Sequence, residues 1–310
     1  MEQIRLKSIK VPDGARLICI SDIHGELELF KALLEKIDFC GDDILVLLGD
    51  LFLKGSQPLP CLHYIMELAK QPNVHVVWGN CDWGHKDYIG ASEQAWLDNL
   101  PHIIESKDFI FVHAALGPGD LSKQDVGFCT SKYAFAGNAP KFDKWVVVGH
   151  WPVNNYCHNI PCQNPIVNSD KRIISIDGGN VISPGGQLNA FMARDGVGEF
   201  WWVHADALPT KVVEQAREGS PGSLNITWLD RFVEIIQHGE EFSLVKHIAS
   251  SKTVEVPTGK IWTDSDGKTC ASMATDHFLT VKQGDVVSVV EEFSDRTYAK
   301  LNGTTGWIYG

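Results

Sequence analysis

RLICISDIHG (Arg16–Gly25) sets the reading of the rest of the chain. A short apolar run stops at Ser21, and a carboxylate, Asp22, and an imidazole, His24, follow two residues apart with a glycine behind them. An unbroken apolar run of this length fits a strand covered on both faces. The arrangement recurs four times. ILVLLGD (Ile44–Asp50) ends in Asp50, VHVVWGNCD (Val74–Asp82) in Asn80, Cys81 and Asp82, FIFVH (Phe109–His113) in His113, and WVVVGH (Trp145–His150) in His150. Between the first three runs, Glu26–Ile37 carries Leu29, Leu33 and Ile37 at helical spacing, and Leu59–Lys70 carries Leu62, Ile65, Met66 and Ala69 on one face. This alternation predicts parallel strands in an α/β layer. Further strands are expected at Arg172–Ile176, Leu188–Ala193 and Glu199–Val203, forming a second, more antiparallel sheet in a helix-flanked sandwich. One Asp or His at a strand end is ordinarily solvated or structural. Five runs out of five ending this way mark the edge at which open α/β sheets place ligands.

The side chains at that edge offer oxygen and imidazole, which suit Mn²⁺, Fe or Zn²⁺. A bend at Gly25 lets Asp22 and His24 reach one ion, Asp50 is central enough to bridge two, and Asn80, His113 and His150 complete the second. Two divalent ions about 3.5–4 Å apart clamp a phosphoryl group and generate hydroxide near neutral pH.

In order along the chain, SDIHG (21–25), GDLFLKG (49–55), GNCD (79–82), HAALGPG (113–119), GHWP (149–152) and IDGGNVISPGGQLNAF (176–191) resemble the motifs of the calcineurin-like metallophosphoesterases. Within that superfamily the layout is most similar to the PPP-type Ser/Thr phosphatases and their bacterial relatives, including the diadenosine tetraphosphate hydrolases. The resemblance covers residues 16–193 and implies an α/β, two-sheet αββα sandwich. It implies Asp22, His24, Asp50, Asn80, His113 and His150 as metal ligands, two divalent ions with Mn foremost and Fe or Zn as alternatives, and a bridging hydroxide that attacks phosphorus. It further implies a phosphatase acting on a phosphoprotein or small phosphoester. A phosphodiesterase or (di)nucleoside polyphosphate hydrolase is the enzyme alternative, and a pseudo-phosphatase scaffold the non-enzyme one.

Three departures from the family pattern bear on catalysis. The family's acid, the His of GNHE, is replaced by Cys81, its orienting Asp by Leu53, and the phosphate-gripping Arg by Lys54. Lysine keeps the charge and loses the bidentate fork. A missing general acid costs about 10²–10⁴-fold when the leaving group needs a proton. Cys81 then reads as a weak acid, a packing residue or an oxidation-sensitive switch, with Asp82 and His85 as replacement acids. The expected catalytic set is Asp22, His24, Asp50, Asn80, Lys54 and Cys81. Trp151 is either a platform for a stacked base or a core aromatic. The loop Asn154–Asp170 is expected to overhang the site, with Lys171 and Arg172 as phosphate contacts or a solvated strand start.

The 310 residues carry 27 basic and 39 acidic side chains, a net charge of −12, which speaks against broad nucleic-acid or anionic-membrane binding. No apolar run is long enough to span a bilayer, the first residues lack a secretory pattern, and a cytoplasmic location with reduced thiols is expected. Cys157, His158 and Cys162 hint at a zinc clip but lack a second pair. From about Val254 short strands alternate with the turns TDSDGK, KQGD, FSDRT and NGTTG. Residues 277–310 resemble a bacterial Src-homology-3-like barrel through their L-x-V-x-x-G-D-x-V run and closing G-x-x-G-W-I-Y. The expected division is 1–205 metallophosphoesterase, 206–253 connecting helix and linker with a helix at Ala207–Arg217, and 254–310 small β-barrel. A peptide or subunit contact is expected through that barrel.

Overall fold

The computed structural model describes residues 3–83, 88–194, 198–220, 222–272 and 274–309. The chain divides into two compact units, the first being Met1–Val153, Asn164–Ile182 and Gly186–Asp206. Its strands are β1 (Leu6–Ser8), β2 (Arg16–Ile20), β3 (Ile44–Leu47), β4 (Val74–Val76), β5 (Ile103–Glu105), β6 (Phe109–Val112), β7 (Trp145–Val148), β8 (Ile166–Asn168), β9 (Ile173–Ser175), β10 (Leu188–Arg194) and β11 (Phe200–Ala205). One sheet has the order β11-β10-β2-β3-β4, with β2, β3 and β4 parallel and β10 antiparallel to β2. The other has the order β1-β5-β6-β7-β9-β8, with β6, β7 and β9 parallel.

Period-two alternation within the buried strands builds two cores at once. Leu17 and Cys19 of β2, Val46 of β3 and Phe191 of β10 share a core with Phe109, Phe111, Val147 and Ile174 of the opposite sheet. The intervening residues, Ile18, Ile20, Leu45, Leu47, Ala190 and Met192, pack against the helices α1 (Leu27–Lys36) and α2 (Pro58–Leu68). Both faces are therefore covered, which is why the strands read as continuous apolar runs. Helix α1 buries Leu27, Phe30, Leu33 and Leu34 along one stripe. Helix α2 begins at Pro58, whose missing N–H costs nothing in a first turn. The shorter α3 (Ala91–Asp98), α4 (Val126–Ser131) and α5 (Phe135–Asn138) follow.

The second unit is Asn154–Gln163, Ser183–Gly185 and Ala207–Gly310. It contains β12 (Thr210–Val212), β13 (Asn225–Ile226), β14 (Val233–Gln237), β15 (Phe242–His247), β16 (Thr253–Pro257), β17 (Ile261–Thr263), β18 (Thr269–Ala271), β19 (Ala274–Thr275), β20 (Val286–Glu292), β21 (Arg296–Leu301) and β22 (Thr304–Tyr309). They form small antiparallel sheets, ordered β12-β20-β21-β22, β14-β15-β16, β13-β19 and β17-β18. The connecting helix expected at Ala207–Arg217 is not there. Thr210–Val212 is a strand on β20, and Val213 is buried with Val287 and Ile308. The run Thr210-Lys211-Val212-Val213, β-branched at three of its four positions, prefers a pleated, half-buried surface. The segment expected as linker, 206–253, likewise carries β13, β14 and β15. Among the described residues no helix is long and apolar enough to cross a membrane.

Candidate metal centre

The turns after β2, β3 and β4 are laced together by backbone hydrogen bonds. Asp22 N donates to Gly49 O at 3.1 Å, His24 N to Asp50 O at 2.9 Å and Gly25 N to Leu51 O at 3.0 Å. From the third turn, Cys81 N donates to Asp50 Oδ1 at 2.8 Å. The opposite sheet joins through Gly149 N, which donates to His113 O at 2.8 Å, and His150 N, which donates to Asp22 Oδ2 at 2.9 Å. Asp22, His24, Asp50, Lys54 and His150 all have left-handed φ, of 54°, 52°, 53°, 84° and 64°. Each such non-glycine residue costs roughly 1–2 kcal/mol, and strain of this kind gathers at functional sites. The turns also approach too closely for side chains on their glycines. A Cβ on Gly79 would stand 2.2 Å from Asp50 N, and one on Gly149 2.4 Å from Asp22 Oδ2.

Within this frame the candidate ligands converge. The two oxygens of Asp50 face different neighbours: Oδ1 lies 3.3 Å from His113 Nε2, and Oδ2 lies 3.8 Å from His24 Nε2. Asp22 Oδ1 is 3.8 Å from His24 Nε2 on the other side. Asn80 Oδ1 is 2.9 Å from His113 Nε2. Ligand atoms of His24, Asp50 and Cys81 lie within 4.8 Å of one another, as do those of Asp50, His113 and His150. The other nitrogens of two rings are anchored, His24 Nδ1 3.1 Å from Leu53 O and His113 Nδ1 2.6 Å from Leu48 O. Such anchoring fixes which nitrogen faces the cluster. His150 Nε2 is buried and has no hydrogen-bond partner among the described residues.

Burial dominates the electrostatics. It pushes the Asp22 carboxyl well above the usual range, and the nearby Asp50 carboxylate adds to the shift. Burial acts on Asp50 in the same direction, but the His113 and His24 imidazoles and the Cys81 donors hold it below the ordinary value. Burial lowers His24 to about 4 and His150 to about 3, so both rings are neutral at pH 7 with a lone pair to offer. The Cys81 thiol is pushed up by burial and by Asp50. Lys54 is exposed; burial lowers its ammonium, but Cys81, Asp50 and Asp22 outweigh that and raise it, with the Cys81 sulfur in hydrogen-bond contact.

The structure thus brings Asp22, His24, Asp50, Asn80, Cys81, His113 and His150 into one cluster with Lys54 beside it. Asp82 does not stand free as a replacement acid. It is 1% exposed, and its carboxylate accepts Asp50 N at 2.9 Å, Leu51 N at 2.8 Å and Gly79 N at 3.0 Å. His85 lies outside the described residues. Trp151 is 6% exposed, which removes it as a platform for a base. Arg172 precedes β9, at the opposite end of that strand from the cluster, and its guanidinium donates to Asp143 O. His158 pairs with Asp230, and Cys157, His158 and Cys162 form no ligand group among the described residues. Two residues escaped the sequence reading. Asp177 is buried beyond β9, pushed up by burial and by Asp22, and follows RIISI just as Asp22 follows LICIS. Tyr133 stacks on the His150 ring, and nothing in the spacing marks it.

A two-sheet sandwich with a carboxylate–imidazole cluster at the carboxyl ends of parallel strands presents residues that could hold divalent ions. The chain belongs to the calcineurin-like phosphoesterase family, whose model matches residues 15–180. It is similar to a symmetrical bis(5'-nucleosyl)-tetraphosphatase of Chromobacterium violaceum, at 33% identity over 123 residues, 33% of this chain and 44% of that protein. It is also similar to the enzyme of that name from Yersinia enterocolitica, at 36% identity over 91 residues, 29% of this chain and 30% of that protein. The matches therefore span less than half the length of these relatives. A solved structure described as a putative diadenosine tetraphosphatase shares the fold, with a TM-score of 0.51 and 21% identity over 66% of this chain and 99% of that one.

Proposed function

We propose that the chain is a metal-dependent phosphoester hydrolase acting on the phosphoanhydride of a nucleoside polyphosphate. Asp22, His24 and Asp50 would hold one divalent ion, and Asp50, Asn80, His113 and His150 a second, with manganese the expected metal. The observation that carries the reading is Asp50, whose two oxygens face the two ligand groups. The donor set also fits a cation on its own terms. A buried nitrogen without a partner costs roughly 1–3 kcal/mol, and a bound ion would remove that cost at His150 Nε2. The ions, when bound, would neutralise phosphoryl charge and make a water nucleophilic near neutral pH.

The chain's own residues favour an anhydride over an alkyl monoester. Lys54 offers the phosphoryl oxygens a point charge. Cys81 takes the place of the family's acid, and its raised thiol donates a proton poorly. A leaving group that departs as a stable anion needs no such acid, whereas the alkoxide of phosphoserine does. This reading moves the substrate from a phosphoprotein toward a nucleoside polyphosphate, and the names of the two bacterial relatives support the move. We further propose a cytoplasmic setting, supported by eight cysteines without a disulfide, and a Src-homology-3-like subunit contact in residues 277–310, supported by their sequence run alone.

The test is hydrolysis of diadenosine tetraphosphate, p-nitrophenyl phosphate, bis-p-nitrophenyl phosphate and a phosphoserine peptide, with added Mn²⁺ and with chelator. Chelator-sensitive turnover is expected, fastest on diadenosine tetraphosphate and slowest on the peptide. Turnover that survives exhaustive chelation, or none on any of the four with metal bound, would refute the reading. Cys81→His should raise the rate on the phosphoserine peptide about ten-fold or more by restoring an acid. An unchanged peptide rate would show that Cys81 is not what limits it.

A further inference from the structure

Tyr133 sits in the turn between α4 and α5, and α4 is tied to the cluster by its backbone: Ala114 N, next to His113, donates to Cys129 O at 2.8 Å. Ala134 has a left-handed φ of 53°, strain that an alanine adopts only where its surroundings demand it. The turn so held sets the Tyr133 ring parallel to the His150 imidazole, with centroids 5.4 Å apart and planes 3° apart. The buried Trp151 is a second aromatic neighbour, 5.1 Å away and tilted by 41°. In spite of both contacts Tyr133 remains 61% exposed.

A large aromatic ring held by two aromatic neighbours yet 61% exposed offers surface on which a planar group can stack. A planar group stacked on Tyr133 would lie near His150, itself a member of a candidate metal group. We propose that Tyr133 is the residue that recognises the nucleobase, a specificity-determining contact for a nucleoside polyphosphate. The inference rests on the hydrolase reading above for the identity of the site and adds which part of the substrate the chain selects. It assigns to Tyr133 the role that the sequence had offered to Trp151. Stacking uses the ring and not the hydroxyl, so a phenylalanine serves equally.

The experiment is calorimetric titration of the full chain, loaded with Mn²⁺, with AMP and with ribose 5-phosphate, which differs by the base alone. The unsubstituted chain should bind AMP about ten-fold more tightly than ribose 5-phosphate. Tyr133→Ala should bring the ratio close to one, and Tyr133→Phe should keep it. A ratio in Tyr133→Ala equal to that of the unsubstituted chain overturns the proposal, as does a chain with no base preference. A parallel loss of both ligands in Tyr133→Ala also overturns it, because the ring would then merely support His150. Failure of the hydrolase reading shows elsewhere: the base preference would persist without chelator-sensitive turnover of diadenosine tetraphosphate.

Discussion

Asp50→Asn should abolish turnover, lowering kcat/KM by roughly 10³-fold or more, and should cut bound metal from about two ions per chain to one or none. The substitution keeps the shape of the side chain but leaves it one acceptor. Oδ1 accepts Cys81 N at 2.8 Å, so the amide oxygen is drawn to that side and its NH₂ turns to where Oδ2 faces His24. The group formed by His24, Asp50 and Cys81 then loses an oxygen and gains a donor that no cation tolerates. The negative charge disappears as well, from between two ions that it would have to offset. Asp50 raises both Asp22 and Asp82 by its proximity, so its neutralisation relieves repulsion, but it also forfeits the attraction of His113 and His24 that holds the Asp50 carboxyl below its ordinary value, so the melting temperature without metal should change little. Metal analysis and thermal melting together separate the ligand role from a folding role. Two ions and full activity in Asp50→Asn would remove Asp50 from the centre of the site.

What could be read from the sequence follows from how each part is stabilised. β2, β3, β4, β6 and β7 are buried on both faces, so they read as apolar runs, broken only by the buried His75 of β4, and a polar group marks each strand end. That rule placed Asp22, Asp50, Asn80, His113 and His150 at one edge of the sandwich, to which both sheets contribute. It applies equally to Asp177 after β9. β1, β5 and β8 are three residues long and exist through pairing, β1 with the distant β5 (Leu6 with Ile103) and β8 with the adjacent β9 (Ile166 with Ser175). No local period announces such a strand. The Thr210–Val212 strand was misread for a related reason: its neighbours Ala207, Leu208, Ala216 and Arg217 favour helix in isolation, and pairing with β20 overrides them. Tyr133 is legible only once His150 is known to lie beneath it.

Asp82 is where sequence and structure assign different work to one carboxylate, and Asp82→Ala decides between them. As a replacement acid it would need an oxygen free to face the leaving group. Instead, both oxygens are bonded to the backbone N–H groups of Asp50, Leu51 and Gly79. The side chain therefore ties the β3 turn, which carries Asp50, to the β4 turn, which carries Asn80 and Cys81. Burial and Asp50 push its carboxyl up, against these donors, which favour the anion. Removing it leaves buried N–H groups unpaired at roughly 1–3 kcal/mol each, partly offset by relief of repulsion with Asp50. A net destabilisation of about 3 kcal/mol is expected, a fall in melting temperature on the order of 10 °C. Activity should fall for every substrate in parallel, because both halves of the ligand set lose their register. Asp82→Asn, which keeps one acceptor, should be milder on both counts. A general acid would behave otherwise: its loss would spare the melting temperature, spare p-nitrophenyl phosphate with its good leaving group, and fall on the phosphoserine peptide. That selective pattern in Asp82→Ala would return the proton-donor role to Asp82, and with it the case for a phosphoprotein substrate.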